Sequence, residues 1–145
     1  MRVIIEEIAE HEEEQIIIRC KKLTSKHYKA IDMLQAQDFV IAYKGNGMFK
    51  IDTDDILYLE TVDKKVFLYT ASEVYDVKQT LAEVVKYLSG DFLRISRNVV
   101  LNWHKLDSLK PLLNGRLEAA LENGEKLIIS RQYVSGLKQK FMSNR

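Results

Sequence analysis

The stretch Phe92-Leu93-Arg94-Ile95-Ser96-Arg97-Asn98-Val99-Val100-Leu101-Asn102 sets an arginine where strand alternation demands an apolar side chain. Leu93, Ile95, Val99 and Leu101 share the parity of Arg97, and all of them belong in a core. An unpaired guanidinium cannot be buried cheaply. Two arrangements resolve the conflict. Either a bulge or loop at Ser96 to Asn98 swings Arg97 outward, or Arg97 is buried against a carboxylate such as Asp91 or Glu60.

A second stretch, Asn123-Gly124-Glu125-Lys126-Leu127-Ile128-Ile129-Ser130-Arg131-Gln132-Tyr133, repeats the pattern, with Arg131 where the chain leaves a strand. Arg131 follows Ser130, the expected N-cap of a last helix, where a cation opposes the helix dipole. A phosphate bound there would reverse the sign, because backbone N–H groups and Arg131 would converge on one anion. An exposed arginine with no role is the plain alternative. Guanidinium groups are planar, always charged and bidentate, so two of them on turns of a β scaffold suit phosphates and base edges better than catalysis.

Outward from these stretches a period of two holds from Asp38 onward, with strands expected at Phe39–Lys44, Met48–Ile51, Ile56–Thr61, Val66–Thr70, Glu73–Val77, Leu93–Asn102, Leu106–Leu113, Arg116–Leu121 and Lys126–Ile129. Asn-Gly dipeptides at Asn46, Asn114 and Asn123 supply the positive φ of tight hairpins, so an antiparallel meander is expected. One helix interrupts it, from the Thr80-Leu81-Ala82-Glu83 capping pattern through the stripe Leu81, Val84, Val85 and Leu88 to Gly90. A last helix buries Val134, Leu137 and Phe141, and Pro111 marks an edge strand or bulge. Lys64 and Lys65 follow Asp63 at the tip between two strands, where a charged pair is ordinarily just solvated.

Residues 1–37 read differently. Arg2–Ile8 and Gln15–Cys20 suggest two strands of a hairpin joined by the like-charged run Glu10-His11-Glu12-Glu13-Glu14. A helix then starts at Thr24 or Ser25 and carries Tyr28, Ile31 and Leu34 to about Gln37. This unit is too small to stand alone and must pack on the main domain, another subunit or a partner. The expected division is therefore an N-terminal extension, 1–37, for assembly or regulation, and a β-rich domain, 38–145.

The 145 residues carry a net charge of only +1, but its distribution is uneven. Residues 1–40 hold six Lys/Arg against eight Asp/Glu, residues 41–93 six against nine, and residues 94–145 ten against four. Such a basic end attracts polyanions, with Lys105, Lys110, Lys126, Lys138 and Lys140 adding diffuse phosphate attraction. Cys20 is the only cysteine, which excludes an internal disulfide and favours a reducing, cytoplasmic setting. No apolar run approaches the length of a bilayer span, and the N-terminus lacks a signal peptide's apolar stretch. His11, His27 and His104 are scattered, Asp52-Thr53-Asp54-Asp55 lacks the glycine and glutamate of a calcium loop, and Gly45-Asn46-Gly47 lacks a following Lys-Ser/Thr. Neither an enzyme, a metal, a cofactor nor a small-molecule substrate is indicated.

The order of elements resembles the LytTR family of bacterial DNA-binding domains from about Phe39 to Phe141. The resemblance is carried by Ile56-Leu57-Tyr58-Leu59-Glu60, the Phe92–Asn102 stretch and Ile128-Ile129-Ser130-Arg131-Gln132-Tyr133-Val134. It implies a mostly β, elongated antiparallel multi-sheet fold with two short helices, to which the N-terminal hairpin and helix are added. It also implies loops, not a recognition helix, entering successive major grooves of double-stranded DNA. Carried over by position, the base-contacting loops fall on Lys64 and Lys65, on Arg97 with Asn98, and on Arg131. The chain departs from the family at Ser96, where a histidine is usual, and at Asn98-Val99, where a Ser-Tyr pair is usual. It resembles the short members without a receiver domain, some controlled by a membrane protein. The expectation is a transcriptional regulator, homodimeric at least on paired DNA repeats. The alternative is a protein-interaction module whose N-terminal unit binds a regulator or a second copy, with incidental nucleic-acid contact.

Overall fold

The computed structural model describes residues 1–143, with ten strands and three helices among them. The chain is mostly β and antiparallel. Helix α1 (Ser25–Gln35) is followed by β1 (Phe39–Lys44), β2 (Gly47–Asp52), β3 (Tyr58–Val62), β4 (Lys65–Tyr69) and β5 (Val74–Val77). Helix α2 (Leu81–Val85) leads to β6 (Phe92–Ser96), β7 (Val99–Asn102), β8 (Leu106–Pro111), β9 (Leu117–Leu121), β10 (Lys126–Ile129) and α3 (Arg131–Ser143). The strands form a seven-stranded sheet in the order β2-β1-β5-β4-β3-β7-β6 and a three-stranded sheet in the order β10-β9-β8.

The larger sheet is not the simple meander that the strand spacing suggests. β5 folds back beside β1 through the single pair Tyr43↔Asp76, and β7 lies against β3. The central strands are buried on both faces, as their near-continuous apolar runs require. Val100 of β7 and Leu59 of β3 enter one core, beneath α2, with Val66, Leu68, Leu81 and Val84. Their neighbours Val99, Leu101 and Tyr58 enter the other, against Leu117, Ala119, Leu121 and Ile129 of the small sheet and Leu137 of α3. Two cores on opposite faces of one sheet follow directly from the alternation of side chains along β3 and β7.

Local chemistry sets the boundaries. Thr80 caps α2 by accepting from the Glu83 N–H at 3.2 Å, although regular α-helix ends at Val85 and only turn structure continues to the buried Leu88. Pro111 closes β8, an edge strand, where its missing N–H costs no ladder bond. Asn102 is 2% exposed. It donates to the Ile56 carbonyl at 2.9 Å and accepts from the His104 N–H at 3.0 Å, so the exit of β7 is bonded to the entry of β3. Of the three Asn-Gly dipeptides, only Asn114 itself takes a positive φ (65°); in the other two turns the glycines Gly45 (58°) and Gly124 (89°) do so.

The N-terminal hairpin expected from the sequence does not form. Residues 2–8 and 15–20 form no strands, and only a turn near Glu10–Glu12 separates them. β-Branched residues favour strands but need a partner edge to satisfy their backbone. Helix α1 forms as expected, with Thr24 as N-cap, and buries no residue. The extension meets the β domain where the Gln37 N–H donates to the Tyr87 carbonyl at 2.8 Å.

Candidate nucleic-acid interface

The conflict at Arg97 is resolved by a turn. β6 and β7 are two strands, not one, and Ser96 pairs with Val99 so that Arg97 and Asn98 form the two-residue connection. A register shift between Arg94 and Ser96 inserts one extra residue in β6. Leu93, Ile95, Val99 and Leu101 keep their places in the core while Arg97 and Asn98 are exposed. The carboxylates that could have buried Arg97 are engaged elsewhere. Asp91 bonds Lys140 at 2.8 Å and His104 at 2.9 Å, and Glu60 accepts from the Tyr69 hydroxyl at 3.1 Å.

This turn is held from several directions. Arg94 Nη1 donates to the Arg97 carbonyl at 2.7 Å, the Asn98 N–H donates to Ser96 Oγ at 3.4 Å, and the Thr61 N–H of β3 donates to the Asn98 carbonyl at 2.8 Å. Its backbone is therefore fixed before any ligand arrives.

The Thr61 bond also places the β3–β4 tip alongside. Val62 pairs with Lys65, leaving Asp63 and Lys64 as a two-residue turn in which both φ values are positive, 49° and 68°. Two left-handed residues match the twist of the flanking strands, but Asn-Gly is the usual choice. Lys64 stands there at a cost of about 1 kcal/mol for a residue with a Cβ. Lys64 and Lys65 are both exposed. In the order β4-β3-β7-β6 the two turns are centred two strand spacings apart, roughly 10 Å.

Arg131 is brought to the same end by the other sheet. The Ser130 N–H, between β10 and α3, donates to the Ile95 carbonyl at 2.8 Å, two residues from Arg97. Arg131 is exposed, and its aliphatic stem lies on Gly115 in the β8–β9 loop. A Cβ on Gly115 would lie 2.9 Å from Arg131 Cδ and 3.0 Å from Cγ. Gly115 also has a φ of 74°, so glycine is required twice over.

Among the described residues, none of Lys64, Lys65, Arg97 and Arg131 has a carboxylate within ion-pair distance. The lysines assigned diffuse attraction divide. Lys105 reaches Glu122 at 3.9 Å, Lys126 reaches Glu118 at 3.8 Å and Lys140 binds Asp91, whereas Lys110 and Lys138 have no such partner among the described residues. Three residues escaped the sequence reading: Arg94, which braces the Arg97 turn, Gly115, which supports Arg131, and Arg116, exposed on the same loop as Gly115. The repeated arginine in Arg94-Ile95-Ser96-Arg97 was the available signal for the first; proximity of the β8–β9 loop to α3 has no local sequence signature.

Known proteins agree with this architecture. The chain resembles the sensory transduction protein LytT of Bacillus subtilis (strain 168), 32% identical over 96 residues, and LytT of Bacillus anthracis, 27% identical over 138 residues. These alignments cover 66% and 88% of this chain but 40% and 56% of the relatives, so the chain spans about half the length of the proteins it matches. An HTH-type transcriptional regulator of Staphylococcus aureus (strain NCTC 8325), itself uncharacterised, is 23% identical over 111 residues, 77% of this chain and 76% of that protein. A solved LytTr DNA-binding domain from Bacillus cereus superposes with a TM-score of 0.68 at 23% identity, covering 72% of this chain and 96% of that domain. The profile of the LytTr DNA-binding domain matches residues 46–142, which span every strand from β2 onward and nearly all of α3, and the chain belongs to that family.

Proposed function

We propose that this DNA-binding chain reads duplex DNA in a sequence-specific manner, its β3–β4 and β6–β7 turns and the start of α3 entering the major groove, and that it regulates transcription in the cytoplasm. Arg97 and Arg131 contact guanine edges or grip phosphate, Asn98 hydrogen-bonds beside Arg97, and Lys64 and Lys65 add phosphate contacts. The observation that carries the reading is the presence of these five exposed side chains at the neighbouring, hydrogen-bonded ends of β3–β4, β6–β7 and α3, with no carboxylate neutralising the four cations among the described residues. A site built from solvated turns and lacking a nucleophile–base pair suits binding, not turnover. One such module offers limited contact area, so two copies on paired repeats are expected.

Selection of duplexes from a random pool tests this, and enrichment of a motif twice at fixed spacing is the expected result. On the selected site, Arg97→Ala and Arg131→Ala should each cost about 1–3 kcal/mol and relax discrimination. Equal losses on random DNA would reassign the arginine to phosphate gripping, and no enriched motif would sink sequence-specific reading. The exposed isoleucines of residues 1–37 favour a second role for that unit, in protein association.

A further inference from the structure

The segment Glu12-Glu13-Glu14-Gln15-Ile16-Ile17-Ile18-Arg19-Cys20-Lys21-Lys22 has an unusual symmetry. Reading outward from Ile17, isoleucine faces isoleucine, Gln15 corresponds to Arg19, Glu13 to Lys21 and Glu12 to Lys22. We infer that this segment is a dimerisation strand, which pairs antiparallel with the same segment of a second copy of this chain about a two-fold axis at Ile17. The inference deepens the proposal of two copies on paired repeats by naming the surface that joins them.

Three observations support it. First, the isoleucines are uncovered: Ile16 and Ile17 are 68% and 64% exposed, in a run of β-branched residues suited to a strand. Second, positions 13–23 make no backbone hydrogen bond among the described residues, although eleven consecutive backbones of this composition are fit to join a ladder. Third, the charges are segregated and unpaired. Six glutamates lie between Glu6 and Glu14 and five lysines or arginines between Arg19 and Lys29, and none forms an ion pair within the chain among the described residues.

A second copy is the occupant that satisfies both halves together. A polyanion would be repelled by the glutamates, and a uniformly acidic or basic partner would match one block and oppose the other. In an isologous contact every pair occurs twice. Antiparallel pairing about Ile17 therefore sets Glu13 opposite Lys21 and Glu12 opposite Lys22 on each side of the axis, with Ile16 opposite Ile18, as cross-strand pairing favours.

Charge reversal in the full chain provides the test. Glu12→Lys, Glu13→Lys and Glu14→Lys form one triple variant; Arg19→Glu, Lys21→Glu and Lys22→Glu form the other. All six positions are exposed and outside both cores. By sedimentation without DNA, wild type should dimerise, each variant alone should self-associate roughly tenfold more weakly or worse, and an equimolar mixture should recover a one-to-one dimer. In a Cys20→Ser background, Ile17→Cys should oxidise to a linked dimer, since facing Cα atoms about 4.5–5.5 Å apart suit a disulfide. Glu13→Cys, which faces Lys21, should not.

A monomeric wild type, dimers of both variants alone, an unrescued mixture, or equal crosslinking at positions 13 and 17 would each overturn the proposal. So would loss of binding to a single half-site in the basic-to-acidic variant without rescue, which would assign the lysines to DNA. Dimerisation by a chain that binds no DNA would leave this interface standing and remove the function proposed above.

Discussion

Lys64 occupies a backbone conformation that glycine would fill more comfortably, at the exposed tip proposed to meet DNA. Lys64→Gly should therefore raise the stability of the fold by about 1 kcal/mol in thermal or denaturant unfolding. The same substitution should weaken DNA binding almost equally on all sequences and make the salt dependence shallower by about 1 in slope. Greater stability with unchanged affinity would remove Lys64 from the interface. Gly115 presents the opposite case. Gly115→Ala should cost about 1 kcal/mol through its positive φ and displace the Arg131 stem, lowering affinity as Arg131→Ala does but to a smaller extent. Binding isotherms of the two variants on one duplex make the comparison. The apolar parity around Arg97 revealed an anomaly in the sequence, and the turn resolves it. The contact between Gly115 and Arg131 was illegible because it joins a loop to the start of a helix through space.

Among the elements, the strands from β1 to β10 were largely legible because alternation and tight-turn residues act locally, and most boundaries lie within two residues of those expected. Three departures have physical causes. The two strands at Leu93–Asn102 read as one because a two-residue turn hardly interrupts an apolar run. The order of the large sheet depends on which strand edges meet, and that is set by the two cores. Residues 2–8 and 15–20 have strand composition without an edge to join. Asp91, at the entry to β6, ties that strand to α3 through Lys140 and to the loop after β7 through His104. Partial burial alone would raise its pKa, but the bonds from Lys140 and His104 outweigh burial and hold it below the ordinary 3.8. A depressed folded-state pKa stabilises above the unfolded value, and the contribution disappears as pH falls through the folded one. Asp91→Asn should accordingly lower stability by roughly 1 kcal/mol at neutral pH, with a difference from wild type that shrinks below the ordinary carboxylate range. Melting curves from neutral to strongly acidic pH would reveal this convergence; a constant gap would mean that packing, not charge, is responsible.

For the whole molecule, we propose that the N-terminal extension and the β domain are energetically separable. No residue before Val40 belongs to either core, and Gln37 bonds the junction to Tyr87. Deleting residues 1–36 should change unfolding stability by no more than about 0.5 kcal/mol and leave single half-site binding intact. Tight binding to paired repeats should be lost. With roughly five phosphate contacts per module, log K should fall with log salt at a slope of about −4.5, the same for the truncated and full chains on a half-site. A steeper slope for the full chain would implicate the extension in phosphate contact.

The Asn114-Gly115 pair beside Arg131 also carries a chemical liability over time. Asparagine followed by glycine is open to attack by the glycine nitrogen on the side-chain amide, which expels ammonia and leaves aspartate or isoaspartate after hydrolysis. Here the new carboxylate would appear one residue from the glycine on which the Arg131 stem lies, in a loop with left-handed backbone, and so near the guanidinium proposed to meet DNA. Ageing of the purified protein would then erode its affinity while its fold persisted, and exchanging Asn114 for a residue that cannot deamidate would extend its working life.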